Sequence, residues 1–299
     1  MPKFSFLVPV YNKIDFLPRS LYSMLFQTYG DFEVVCVDDC SSDGSYEFLR
    51  EISKEFPKLF VYKNQRNMGL GENRNILLSK AKGEYVIFAD PDDYVELDLL
   101  ENIYDELRLN DLDVVRFQNV VEAITPRRQD YESRKSPYRF CCEPTDVLSG
   151  TEAFCEWMFG VNKINTMPWT YCVKRDLYDG VKYPKFSVLE DFAVTPYLVA
   201  QAKNVKATNF LGYHYIQYDS SLTGKGDSVQ EEIDIRTKKL GILEQVTKIA
   251  RKYIEKSKLP EYVKNRYYDE LNLKLEDKKL KLQNLLSKNE FSVGPKKDS

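Results

Sequence analysis

The strongest constraint in this sequence is a regular alternation of strand and helix signals through its first ninety or so residues. Phe4-Ser5-Phe6-Leu7-Val8 reads as an apolar strand ended by Pro9, after which Ile14, Leu17, Leu21, Met24 and Leu25 recur at helical spacing. A second strand, Phe32 to Val37, ends at Asp38-Asp39, and Tyr46, Leu49, Ile52 and Phe56 mark a second helix. Leu59 to Tyr62 is a short third strand. Ile76, Leu77 and Ala81 lie on a third helix, with Gly83 as its expected C-cap, and Tyr85 to Ala89 is the fourth strand. This order predicts an α/β fold with a mostly parallel, doubly wound sheet and right-handed crossovers.

In such sheets ligands bind beyond the carboxyl ends of the strands. Those ends read Pro9-Val10-Tyr11-Asn12, Asp38-Asp39, Asn64 to Gly71, and Asp90 to Asp93, all polar and together a candidate site. Tyr11 is suited to stacking on a base. Asp38 or Asp39 is suited to accepting a hydrogen bond from a uracil imide or a ribose hydroxyl, while Asp38 to Gly44 also has the composition of a helix-capping turn. No Gly-x-Gly-x-x-Gly follows the first strand, which argues against a dinucleotide cofactor.

The fourth strand end is the most unusual. Five apolar residues are followed by three carboxylates, Asp90, Asp92 and Asp93, within four positions. Carboxylates that close raise each other's pKa unless a cation lies among them. Mg²⁺ and Mn²⁺ take one or two carboxylates together with phosphate oxygens. Pro91 keeps Asp90 out of the helical region. The plainer alternative is a solvated turn. Upstream, Gly69 and Gly71 permit tight backbone near a ligand, and Arg74 follows on the first turns of a helix. There its guanidinium either reaches a diphosphate or lies exposed on an amphipathic face.

These segments resemble family 2 glycosyltransferases: Val8-Pro9-Val10-Tyr11-Asn12, Val37-Asp38-Asp39 with Ser41 and Asp43-Gly44, Asn67-x-Gly69, Asn73-Arg74-Asn75, Gly83-Glu84-Tyr85 and Asp90-x-Asp92-Asp93 occur in the order of that family over residues 1 to about 125. The resemblance implies the Rossmann-like GT-A fold, a nucleotide-sugar donor (a UDP-sugar by family frequency), a divalent metal (Mn or Mg) and inversion at the anomeric carbon. It implies that Pro9, Tyr11, Asn12, Asp38, Asp39, Asn67, Gly69 and Arg74 line the donor site, that Asp90 lies near ribose and diphosphate, and that Asp92, with Asp93 beside it, holds the metal.

The second half is read partly through that resemblance. Pro126 to Arg139 is polar and aperiodic, expected as a flap over the acceptor side or a disordered insertion. Ser149 and Glu152 have capping-box spacing. Met167 to Arg175 is similar to the family's acceptor-site segment, and Trp169 either stacks on a sugar or packs in the core. The resemblance carries the general base onto Asp191 and an orienting or acceptor-binding role onto Glu190; the alternative is that Asp191 caps the helix of Phe192, Val194, Leu198 and Val199. His214, the single histidine, either completes the metal site or is structural between Tyr213 and Tyr215. The loop Ser220 to Thr223 is expected to close over the donor.

Beyond Asp227 only helical periodicity remains. These boundaries divide the chain into a catalytic region 1–226 (nucleotide-sugar half 1–120, acceptor half 121–226) and a helical region 227–299, whose last seven residues are expected to be disordered. Residues 251–299 hold 13 Lys/Arg against 8 Asp/Glu, suited to an anionic membrane with lipid-linked acceptors, to the catalytic region, or to a dimer seam. A net charge of −3 gives no case for nucleic acid. Six cysteines without zinc spacing, an opening strand in place of a signal peptide, and no run near the ~20 apolar residues of a membrane span predict a cytoplasmic protein with reduced thiols. The expected activity is transfer of a sugar to a glycan or lipid-linked hydroxyl in cell-surface polysaccharide synthesis. The alternatives are a non-catalytic sugar-nucleotide or glycan-binding module and an Asp-nucleophile phosphohydrolase, though the latter usually carries its Asp-x-Asp-x-Thr after the first strand.

Overall fold

The computed structural model describes residues 1–124, 134–140, 143–160, 166–185, 188–218 and 228–292. The first half is built from β1 (Phe4–Val10), α1 (Leu17–Leu25), β2 (Phe32–Asp38), α2 (Ser45–Ile52), β3 (Leu59–Lys63), α3 (Leu70–Lys80), β4 (Tyr85–Phe88), β5 (Tyr94–Val95) and α4 (Leu99–Leu109). The second half continues with β6 (Val114–Ile124), β7 (Arg134–Phe140), α5 (Gly150–Phe159), β8 (Tyr171–Lys174), α6 (Asp191–Gln201), β9 (Val205–Tyr218), α7 (Val229–Glu255) and α8 (Glu261–Ser292).

The strands form one sheet in the order β3-β2-β1-β4-β8-β6-β9-β5, with β7 added on β6. The first four are mutually parallel. β8 then runs antiparallel between β4 and β6, and β6 and β9 pair in parallel. The alternation read from the sequence is therefore the wound sheet itself, mixed in its second half. The chain steps outward from β1 to β2 and β3, then returns to the other side of β1 as β4. That reversal is a topological switch point, and it lies between the ends that carry Tyr11 and Asp90.

All seven residues of β1 are buried because both faces of the sheet are covered. Phe4, Phe6, Val8 and Val10 face a core shared with α1 and α4; Leu7 faces the other, shared with α3, α5 and α6. Each such large apolar side chain contributes about 1.5–3 kcal/mol by leaving water. The second core also takes Leu243, Val246, Ala250 and Ile254 of α7 and Val263, Tyr267 and Leu271 of α8. Of the readings of the basic helical tail, packing on the rest of the chain is thus realised.

Two expectations are corrected. α3 ends at Ala81 in extended conformation, so Gly83 is no helix cap. It is glycine because β1 lies against it: a Cβ there would stand 2.6 Å from both the amide nitrogen and Oγ of Ser5. The stretch expected as an irregular flap ends in a strand, β7, antiparallel to β6. Residues 125–133, the donor loop Ser220 to Thr223 and the tail from Val293 lie outside the described residues. The capping box at α5 is present as read: Ser149 Oγ accepts from the Glu152 amide, and the Glu152 carboxylate accepts from the Ser149 amide.

Candidate active site

The site is assembled where β1 and β4 part. Their pairing ends at Leu7 and Phe88, so Pro9, buried near the end of β1, needs no N–H on that side. Beyond it Tyr11 is 48% exposed, and Asn12 takes a left-handed conformation (φ 50°). The turn after β2 clamps this loop. The Asn12 amide donates to Ser41 Oγ (2.9 Å), the Lys13 amide to Ser45 Oγ (3.0 Å) and the Ile14 amide to Asp43 Oδ2 (3.0 Å), while Asn12 Oδ1 accepts from the Ser42 amide (2.9 Å). The tip of this loop brings Lys13 Nζ to 2.5 Å from Asp92 Oδ2.

Asp39 organises the next segment. Its carboxylate accepts from Asn64 Nδ2 (2.7 Å) and from the amides of Met68 (2.8 Å) and Gly69 (2.9 Å). Asn67 Oδ1 also accepts from the Gly69 amide (3.1 Å). Gly69, at φ 83°, is the residue from which α3 starts, and only glycine adopts that conformation cheaply. Its neighbour Asp38 is fully buried; one oxygen accepts from the Ser41 amide (3.1 Å) and the other has no hydrogen-bond partner among the described residues.

Arg74 projects from α3 into the centre of the site. It is buried, its guanidinium donates to Glu190 Oε1, and it stands 3.6 Å from Asp90 Oδ1 between the rings of Phe88 and Tyr183. Burial works against its charge, and the carboxylates of Glu190 and Asp90 outweigh that and raise its pKa. Arg74 is thus held by two acidic segments rather than lying exposed on a helix face. Burial lifts the Asp90 carboxyl to about 6, with Arg74 pulling it down and Asp92 and Glu190 pushing it up. Glu190 is buried at the head of α6 and makes no side-chain capping bond. Asp191 lies in the first helical turn, so it is not the cap either. Thr166 Oγ1 donates to its Oδ2 (3.3 Å), and burial with the Glu190 charge lifts its carboxyl to about 7. The preceding Leu189 is held at φ 64°, a strained conformation for a side chain of that size.

Three assigned residues take other roles. Both oxygens of Asp93 are used internally: Oδ2 accepts from the Tyr213 hydroxyl and Oδ1 from the Ile216 amide, each at 2.7 Å, and the side chain is 1% exposed. It ties the acidic turn to β9 instead of facing a metal. His214 has both ring nitrogens 2.7 Å from carboxylates, Nδ1 from Glu122 and Nε2 from Glu96, and stacks on Tyr94. Both of its ring nitrogens are thus engaged by carboxylates in this structure. Trp169 is buried, stacked on Tyr213 (4.4 Å) and Tyr215 (5.3 Å). Its ring supports Tyr213, whose hydroxyl accepts from the Asp90 amide (2.9 Å), so it packs in the core rather than against a sugar.

The remaining donors fit a hard cation. Asp90 and Asp92 are 28% and 24% exposed, both are carboxylates, and burial already strains the charge on Asp90. No group of three or more His, Cys, Asp or Glu among the described residues is arranged to hold a metal. That is compatible with a site completed by phosphate oxygens.

The sequence profile of glycosyl transferase family 2 matches residues 5–160, just over half of the chain. The chain belongs to this family. A cholesterol galactosyltransferase of Borreliella burgdorferi is 28% identical over 230 residues, covering 74% of this chain and 62% of the relative. A poly(ribitol-phosphate) beta-glucosyltransferase of Bacillus spizizenii is 36% identical over 115 residues, 38% of this chain and 18% of the relative. The chain therefore spans less than two thirds of these relatives' length. Among solved structures, S. aureus TarS 1–349 in complex with UDP superposes with a TM-score of 0.65 at 22% identity, over 90% of this chain and 70% of that one. That likeness shows the GT-A fold.

For a family 2 chain, two residues escaped the sequence reading. Lys13 pairs with Asp92, and Arg19 donates to the Asp92 carbonyl (3.1 Å). Lys13 had a signal, since it follows Tyr11-Asn12 at the rim. A third contact comes from the helical tail: Lys274 of α8 lies 4.4 Å from the centre of the Phe192 ring, next to Asp191.

Proposed function

We propose that this protein is an inverting glycosyltransferase that moves a sugar from a nucleotide-sugar, with UDP as the preferred nucleotide, to a hydroxyl of a glycan or lipid-linked acceptor. The observation that carries the reading is Arg74, which joins the acidic turn after β4 to the Glu190-Asp191 pair at the head of α6. A donor-side acid and an acceptor-side acid are thereby parts of one network at the switch point of the sheet.

In this reading Tyr11 stacks on the base, and the unpaired oxygen of Asp38 takes a donor from it. Asn12 and Pro9 shape the pocket, and Asp39 with Asn67 and Gly69 holds its wall. Asp92 and Asp90 hold the divalent metal, which supplies charge neutralisation for the departing diphosphate. Asp191 accepts the proton of the acceptor hydroxyl as its oxygen attacks the anomeric carbon; the bond to the diphosphate breaks with its electron pair leaving on the phosphate oxygen. A carboxyl near 7 suits that task, because a base works best close to the operating pH. Glu190, held by Arg74, fixes the start of α6 that presents it.

The relatives support this reading. TarS has been seen with UDP and with UDP-GlcNAc, and a Pyrobaculum calidifontis mannosyltransferase with GDP-Man and Mn²⁺. The acceptor types named for relatives, a sterol and a poly(ribitol-phosphate), support a role in cell-surface glycans. Among the described residues no helix is long and apolar enough to cross a membrane. Exposed Tyr262, Leu273 and Leu280 on α8, within residues 251–299 that hold 13 Lys/Arg against 8 Asp/Glu, support peripheral contact with an anionic cytoplasmic surface.

The test is turnover: release of UDP from UDP-sugars with Mn²⁺ or Mg²⁺, compared with Asp92→Ala and Asp191→Asn. Release by the wild type and at least a hundredfold loss in both variants is expected. Nucleotide binding without turnover, or full activity in Asp191→Asn, overturns the assignment.

A further inference from the structure

Lys13 is the one residue of the β1 loop whose side chain enters the acidic site. Its ammonium lies 2.5 Å from Asp92 Oδ2, and its charge also acts on Asp90. The backbone beneath it is fixed. Its own amide is bonded to Ser45, and the amides on either side are bonded to Ser41 and Asp43. The side chain is 29% exposed, and its other contact is the Phe16 ring at 5.4 Å. A lysine on a clamped stem is a mobile point charge with a flexible reach and three donors. Asp92, by contrast, is anchored, its carbonyl held by Arg19 and the following Asp93 locked to β9.

We infer that Lys13 is an internal counter-cation that a divalent ion must displace from Asp92. The displaced ammonium, carried by the same loop as Tyr11, is then free to pair with the diphosphate of the bound nucleotide. The reason is charge accounting. Asp92 has one carboxylate to offer, and a metal and an ammonium held together against it repel one another. Without an anion to receive Lys13, metal binding costs the Lys13–Asp92 pair. With a diphosphate present that cost is returned, because the phosphate oxygens accept from the ammonium and also complete the metal's shell. Metal and nucleotide therefore bind with positive coupling, which is reciprocal by linkage. Lys13 is a positioning residue in this scheme, and the inference rests on the reading of Asp92 as a metal ligand.

The experiment measures Mn²⁺ affinity of the full chain by the loss of the free-ion EPR signal, with and without UDP, in wild type, Lys13→Met and Asp92→Asn. Melting curves check that each variant is folded. The wild type is expected to bind Mn²⁺ weakly alone and about tenfold or more tightly with UDP, as the worth of a charge-assisted hydrogen bond implies. Lys13→Met is expected to bind Mn²⁺ alone about tenfold more tightly than wild type and to gain less from UDP than wild type does, because only the phosphate ligands of the metal then contribute. Equal Mn²⁺ affinity of wild type and Lys13→Met without UDP overturns the inference while leaving Asp92 as a ligand. If Asp92→Asn binds Mn²⁺ as wild type does with UDP present, the metal reading of Asp92 itself fails.

Discussion

Arg74 donates to Glu190 from 116 positions away in the chain, and both side chains are about 97% buried. The pair joins α3, which rises from the Gly69 turn, to the head of α6. It gives the site a single electrostatic centre, with Asp90 on one side and Asp191 on the other. Removing one member of such a pair strands the other's charge out of water. Arg74→Met is therefore expected to destabilise the fold by about 3–5 kcal/mol. The double variant Arg74→Met/Glu190→Met should recover more than half of that loss. Urea unfolding of the three proteins measures it, and a double variant as unstable as Arg74→Met would contradict the pairing.

Asp191 makes a prediction about pH with a definite sign. Its folded pKa, about 7, lies above the ordinary 3.8, so the folded protein favours the protonated acid. The stability this contributes is complete below pH 4 and is lost as pH rises to 7. Asp191→Asn cannot ionise and escapes the loss. Wild type and variant should diverge from pH 4 upward until the variant is the more stable by roughly 2–4 kcal/mol near pH 8. Activity runs the other way: transfer by the wild type should rise with pH through about 7 as the base is uncovered. A pH-independent stability difference would show that Asp191 is not the group responsible.

Asp92 and Asp93 are adjacent but should behave as different kinds of residue. EDTA is expected to abolish transfer, and added Mn²⁺ or Mg²⁺ to restore it. Asp92→Asn is expected to remove Mn²⁺ binding with little change in melting temperature. Asp93→Ala leaves the buried Tyr213 hydroxyl and Ile216 amide without an acceptor, and should cost about 1–3 kcal/mol for each. A change in Mn²⁺ affinity from Asp93→Asn, with stability unaltered, would reverse these roles.

Gly83→Ala tests the contact between β1 and the chain entering β4. The added Cβ would stand 2.6 Å from the Ser5 amide nitrogen and 2.7 Å from the Phe4 carbonyl carbon, so backbone must shift. A loss of about 1–3 kcal/mol is expected, of the size found for overpacking. The obstructing atoms are mostly backbone, and Ser5 Oγ itself donates to Glu33 and accepts from the Gly83 amide, so no side-chain substitution relieves the contact. Thermal denaturation of Gly83→Ala is the measurement, and an unchanged melting temperature would contradict the contact.

Short-range signals in the chain specify the strand and helix order, the capping box at Ser149 and the acidic end of β4. Each depends on neighbours a few positions apart: side-chain periodicity along an element, or a hydroxyl and a carboxylate one helical turn away. The sequence also carries the family motifs, because these are runs of adjacent residues. Which acidic groups remain available depends instead on contacts between distant segments. Asp93 and Asp92 look alike in the chain, but one meets Tyr213 and Ile216, some 120 residues distant, and the other meets Lys13, 79 residues back. Trp169 and His214 likewise had two open fates, settled by partners on β9, on β5 and β6, and in the turn after β5. Burial and hydrogen bonding between distant segments exist only once the sheet has closed. The chemistry of a carboxylate follows from those contacts and not from its position in the chain.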